Sequence, residues 1–195
     1  MQPSPMRSFD PRRVGGLECR AWETYYRRKW GAFLVASIVL VRAAFRMSWP
    51  RTLVGAWLVL RANQVWAPFP NNDPDAARAL MRRFYQLLRR SEAAQFDPTR
   101  AAELEVEWWR VHREHQHAAL DDPSEGLTAA LRDLYAYTYS VDPADVHRAA
   151  QLRAEAMDVS DRWVEAGSDP DNPLLANERA LLVRSYAALL AAVHG

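Results

Sequence analysis

Apolar residues recur along the chain at helical spacing, and short polar stops separate one run from the next. Ala77, Leu80, Met81, Phe84, Leu87 and Leu88 form one stripe at three- and four-residue intervals, with Arg78, Arg82, Arg83 and Arg89 mostly outside it. Leu127, Leu131, Leu134 and Thr138 form a second stripe, and Leu175, Leu182, Tyr186, Leu189 and Val193 a third. The stops share one form, a short polar residue followed by proline: Asp73-Pro74, Asp97-Pro98, Asp122-Pro123, Asp142-Pro143 and Asn172-Pro173. The polar side chain accepts a bond from a free first-turn N–H, and proline occupies the next position, where no N–H is needed. These signals predict seven helices: about 12–46, with room for a break near Gly31, then 50–66, 74–92, 98–118, 124–139, 143–166 and 174–193. No stretch alternates with strand period, and no repeat is present. The expected architecture is a single all-α bundle over 1–195, with neighbouring helices antiparallel because their connections are short.

The segment before the proline-rich loop 67–73 has a different pattern. Trp30 to Val41 and Thr52 to Leu60 are free of charge and apolar on every side. Both runs are shorter than the ~20 residues a spanning helix needs. A helix that is apolar all round belongs in a core, so a central apolar hairpin is expected here. The flanks, with Arg27, Arg28, Lys29 and Trp30 on one side and Arg42, Phe45, Arg46 and Trp49 on the other, also suit an interface with anionic lipid.

Composition narrows the function classes. The chain has 195 residues, 49% hydrophobic and 25% charged, with formal net charge +1. That excludes a mainly disordered chain. A single cysteine, Cys19, excludes a disulfide scaffold and a cysteine zinc site, and it reads as a small buried hydrophobe. The near-neutral total hides a basic 1–66 and an acidic 74–195. The arginines of the first part are interleaved with apolar residues instead of forming one polar patch, which argues against nucleic acid as partner. No apolar leader follows a short basic start, so a cytoplasmic location is expected, with membrane-surface association as its variant. Phosphate-loop, dinucleotide, zinc-protease and nucleophile-elbow motifs do not occur.

Candidate chemistry comes from polar residues on apolar helix faces. On 98–118, Ala101, Leu104, Trp108 and Val111 define the apolar side, widened by Trp109. Glu105 and His112, two turns apart, fall inside it. Glu18 shares a face with Val14, Ala21, Trp22 and Tyr25. Glu178 lies on the side of Leu175, Leu182 and Ser185, where a first-turn acid facing the helix dipole is the plain alternative. Arg153 sits within the apolar arc of 143–166 and is the counter-ion expected for Glu105 or Glu178.

A buried charge must be paired, metal-bound or neutralised. Glu105 and His112 are therefore the candidate acid–base residues, and Trp22, Tyr25, Trp108, Trp109 and Arg153 the candidate pocket for a small apolar or aromatic molecule. Glu18, Glu105, His112 and Glu178 are the candidate ligands of an iron or manganese ion, since inward carboxylates and imidazoles are the donors of four-helix dimetal sites. Against that, Glu-x-x-His pairs do not occur on two helices as such sites use them, and His112 with His115 supplies only an i, i+3 pair. Asp158 and Asp161 with Asp121 and Asp122 offer a weaker aspartate-rich alternative for Mg²⁺, with Asp158 expected on the outward face. Two function classes result: an enzyme with an interior Glu/His site, oxidase- or oxygenase-like or acid–base, or a non-catalytic helical binding protein that meets a partner or a membrane through residues 30–66.

Overall fold

The computed structural model describes residues 5–92, 94–117 and 124–194. Among them are a short 3-10 turn at Pro5–Arg7 and eight α-helices: α1 (Pro11–Tyr26), α2 (Trp30–Phe45), α3 (Trp49–Trp66), α4 (Pro74–Glu92), α5 (Pro98–His117), α6 (Ser124–Tyr139), α7 (Pro143–Glu165) and α8 (Leu174–Ala192). The all-α class expected from the sequence is correct, with one helix more than predicted.

The polar–proline stops set the helix starts. Asp73 Oδ1 accepts from Ala76 N at 2.9 Å, Asp97 Oδ1 from Thr99 N at 3.0 Å, Asp142 Oδ1 from Ala144 N at 2.8 Å and Asn172 Oδ1 from Leu174 N at 3.0 Å. Asp122-Pro123 lies outside the described residues. The same signal at Asp10-Pro11 caps α1, with Asp10 Oδ1 accepting from Arg12 N at 2.9 Å.

The extra helix arises because the 12–46 segment does break near Gly31, at Arg27–Lys29. Arg28 adopts a left-handed φ of 55°. That conformation is unfavourable for a side-chain-bearing residue, and tertiary contacts offset it. The Arg28 guanidinium donates to Ala67 O at 3.1 Å and lies over the rings of Tyr25 and Trp30. Gly31 sits inside α2, facing open space.

Each helix packs chiefly on its two sequence neighbours, and α8 returns to α1, so the eight helices close into a ring. Contacts run antiparallel around it: Gly15 and Cys19 of α1 meet Val183 and Leu175 of α8 respectively. At Gly15 the two backbones come so close that an added Cβ would lie 2.7 Å from Val183 N, which requires glycine there. Helices α1, α3, α5 and α7 thus end at one rim of the ring. At the opposite rim Arg7 donates to Val193 O at 2.7 Å and to Tyr139 O, and Phe9 meets Tyr186 edge-on at 5.6 Å, so the N-terminal segment closes that end.

The apolar hairpin α2–α3 is part of this wall and not its centre. A helix in a closed ring has two flanks, a lumenal face and an outer face. An all-apolar helix therefore exposes apolar residues outward. Val35, Trp49, Leu53, Val54 and Trp57 are each at least 50% exposed. Among the described residues no helix is long and apolar enough to cross a membrane.

Candidate functional site

The ring encloses a cavity of about 610 Å³ lined by side chains from all eight helices. Its exposed lining residues, Arg28, Phe69, Gln116 and His117 among them, mark a mouth at the rim where α1, α3 and α5 end. Phe69 and His117 stack there at 4.3 Å. Met6 and Phe9 of the N-terminal segment, both buried, form the floor.

Halfway down, Arg153 of α7 reaches across to α1 and donates to Glu18 Oε1. It also donates to Tyr135 OH at 3.1 Å, and its guanidinium packs 5.1 Å from the Trp108 ring and 5.9 Å from Trp22. Burial alone would lower the affinity of Arg153 for its proton, but Glu18, Tyr135, Tyr186 and Glu105 together outweigh that and hold the guanidinium charged. Sequence reasoning assigned Arg153 to Glu105 or Glu178. The ring geometry gives it to Glu18, because α1 and α7 flank α8 and project toward the same part of the lumen.

Glu105 takes different partners. Tyr85 OH donates to its Oε2 at 2.7 Å, and Trp109 Nε1 to its Oε1 at 3.2 Å. Burial pushes the Glu105 carboxyl above the usual carboxylate range, while Arg153 nearby and these donors pull it back in part. The result is a carboxyl of raised proton affinity on the wall of an aromatic cavity.

His112, two turns along α5, has Nε2 3.0 Å from Asp161 Oδ2 of α7. Gln116 Nε2 donates to the other oxygen of Asp161 at 2.6 Å and reaches Tyr26 OH at 3.3 Å. Asp158, expected to face outward, is half-buried against His115 at 3.4 Å, and burial raises its carboxyl. The two aspartates thus tie α7 to α5. Asp121 and Asp122, the other half of the Mg²⁺ alternative, lie outside the described residues.

Glu178 stands apart from the cavity. It is fully buried in the second turn of α8, not in the first, beside Cys19 and Ser160. Neither carboxyl oxygen has a hydrogen-bond partner of good geometry among the described residues. Burial pushes its pKa up to about 8. Cys19 is buried as expected, donates weakly to Leu175 O at 3.6 Å, and has its thiol pKa raised first by burial and then by Glu178. That is the opposite of an activated nucleophile.

Comparison with protein-family models, with curated proteins and with solved structures finds no match for this chain.

The cavity therefore has to be read from its own residues. Trp22, Tyr25, Trp108, Trp109 and Arg153 all line it, as do Glu18, Glu105 and His112. The four candidate metal ligands are not brought together. Glu18 is neutralised by Arg153, Glu105 is held by Tyr85 and Trp109, His112 by Asp161, and Glu178 lies elsewhere. Among the described residues no three His, Cys, Asp or Glu side chains converge as ligands, so the donor set does not fit the proposed iron or manganese centre.

Sequence reasoning missed Tyr85, Tyr135 and Arg113, and it gave Asp161 and Arg28 other roles, in an Mg²⁺ site and on a lipid-facing flank. Tyr85 lies beside Phe84 at the edge of the α4 stripe, and a tyrosine at such an edge could have been flagged as a donor. The meeting of Arg28 with Arg113 gave no sequence signal, because only the ring brings the end of α5 beside the turn after α1.

Proposed function

We propose that the protein binds one small, largely apolar molecule inside the helical ring, and that Glu105 serves as the acid–base group facing it. The observation that carries this reading is the cavity itself. Its volume falls in the range that holds drug-sized ligands, and its wall is aromatic with a few fixed polar groups. Unspent hydrogen-bonding capacity supports it: among the described residues Arg153 Nε is buried without a partner, and Glu18 Oε2 and Trp108 Nε1 make no bond of good geometry, although Tyr186 and Glu105 lie near them. Glu105 supplies the chemistry, as a buried carboxyl with raised proton affinity held in place by Tyr85 and Trp109. His112, oriented by Asp161, is the second titratable group on the wall, about 10 Å further along the same helix. It would meet a different part of a bound molecule from the part at Glu105.

The test is a titration with decanol and with naphthalene, followed by tryptophan fluorescence. Saturable one-to-one binding is expected, and weakened in Leu40→Trp, which puts an indole into the lumen. Absence of saturable binding by either probe would refute the reading.

A second reading is favoured by one specific observation, the outer face of α2–α3. Val35, Leu53, Val54 and Trp57 lie exposed between Arg42, Arg46, Arg51 and Arg61, none of which has a carboxylate partner among the described residues. Apolar residues and interfacial tryptophans edged by unpaired arginines suit an anionic bilayer surface. Flotation with anionic vesicles at low salt should carry the protein, and Leu53→Glu with Trp57→Glu should leave it at the bottom. Equal flotation of the double variant would overturn this reading.

A further inference from the structure

The mouth of the cavity carries positive charge that the fold itself leaves unused. Arg28 and Arg113 both line the cavity and both contact Tyr25. Arg28 lies over its ring at 5.6 Å, and Arg113 Nη2 donates to its hydroxyl at 3.4 Å. Arg113 also packs over Trp66 at 5.3 Å and over Phe69 at 5.6 Å, so aromatic rings hold its guanidinium plane in place. Among the described residues neither arginine forms an ion pair. Arg28 uses one N–H on Ala67 O and Arg113 one on Tyr25 OH, out of five on each guanidinium. Two such forks at the entrance to an apolar lumen are donors without an acceptor.

The interior offers an anion no comparable place. Its one arginine, Arg153, is already neutralised by Glu18, and a second buried anion beside Glu18 and Glu105 would be repelled and desolvated. A ligand with a charged end must therefore keep that end at the mouth and place its apolar body below, against Trp66, Trp109 and Trp108. We infer that the molecule bound in the ring is an amphipathic anion, with a carboxylate or phosphate head on an apolar tail and the head held between Arg28 and Arg113. The inference rests on the cavity being a binding site. Guanidinium is suited to both heads, because its parallel N–H groups match two oxygens of either.

The test compares decanoate, decyl phosphate and decanol at pH 7.5 by titration calorimetry, in the wild type, in Arg113→Gln and in Arg28→Gln/Arg113→Gln. Circular dichroism confirms that each variant is folded. In the wild type at least one anion should bind tenfold or more tightly than decanol, and the tighter of the two identifies the head. In the double variant the anion should fall to parity with decanol, while decanol affinity stays unchanged. Decanol binding as tightly as both anions, or an anion preference that survives in the double variant, would overturn the inference and leave the cavity reading intact. Failure of all three to bind would overturn the inference, and failure of naphthalene as well would overturn the cavity reading.

Discussion

Arg153 and Glu18 form a buried ion pair across the ring, joining α7 to α1, two helices that share α8 as a neighbour. The pair is far apart in sequence and close in space only because α8 returns to α1. It sits where the lumen is lined by Trp22, Trp108 and Tyr135, so water is a poor substitute for either partner.

Removing one member should be worse than removing both. Arg153→Met strands Glu18 among aromatic rings and should destabilise the fold by ~3–5 kcal/mol. Arg153→Met combined with Glu18→Gln should recover most of that loss. Urea unfolding of the single and double variants measures the coupling. Additive losses would mean that the two charges do not depend on each other.

Glu178 should make the protein less stable as pH rises. Its folded pKa of about 8 lies above the ~4.3 of an unfolded glutamate. The folded state therefore holds its proton longer, and stability falls from about pH 4.5 to about pH 8, then levels off. Glu178→Gln keeps the neutral shape and should gain ~2–4 kcal/mol at pH 9, with the advantage fading near pH 5. Chemical denaturation at the two pH values decides it.

Two glycines should respond to alanine in opposite directions. Gly15→Ala drives a methyl into the α8 backbone at Val183 and should cost ~1–3 kcal/mol or more, because backbone cannot step aside as a side chain can. Gly31→Ala adds a methyl in open space on α2 and should stabilise by ~0.5–1 kcal/mol. Thermal melts of the two variants should bracket the wild type.

Glu105 should separate packing from chemistry. Glu105→Ala leaves Tyr85 OH and Trp109 Nε1 without their acceptor inside the wall and should destabilise by ~1–3 kcal/mol. Glu105→Gln keeps an acceptor oxygen and the volume, so the fold and binding of a neutral probe should survive while any proton transfer at this position is lost. Binding and stability measured on both variants distinguish the two contributions. A Glu105→Ala protein as stable as the wild type would place the carboxyl outside the packed wall.

Helix positions were legible in the sequence because helix formation is local. The polar–proline stops act within one turn, and the apolar stripes follow from the helical period. Both survive whatever the helices later pack against. The placement of Glu18, Glu105, His112 and Arg153 on apolar faces was legible for the same reason, since a face is a property of one helix. Their partners were not. Arg153 chooses Glu18 over Glu105 and Glu178, and His112 chooses Asp161, by the order of helices around the ring, which no single helix encodes. The break at Arg28 was hidden because a left-handed arginine is locally unfavourable and is held by Ala67, Tyr25 and Trp30 from outside its own turn.

The sequence by itself thus determined where the chain is helical, as seven segments of which the structure divides the first in two, and the sides on which they are apolar, through short-range hydrogen bonding and periodicity. Only the tertiary structure decided that the segments close into a ring. Closure leaves a lumen shared by all eight helices and turns the most apolar hairpin into wall where a central place was expected. The physical reason is that each helix has two neighbours to pack against, so the face opposite solvent meets a cavity, and the polar residues on it meet across that cavity.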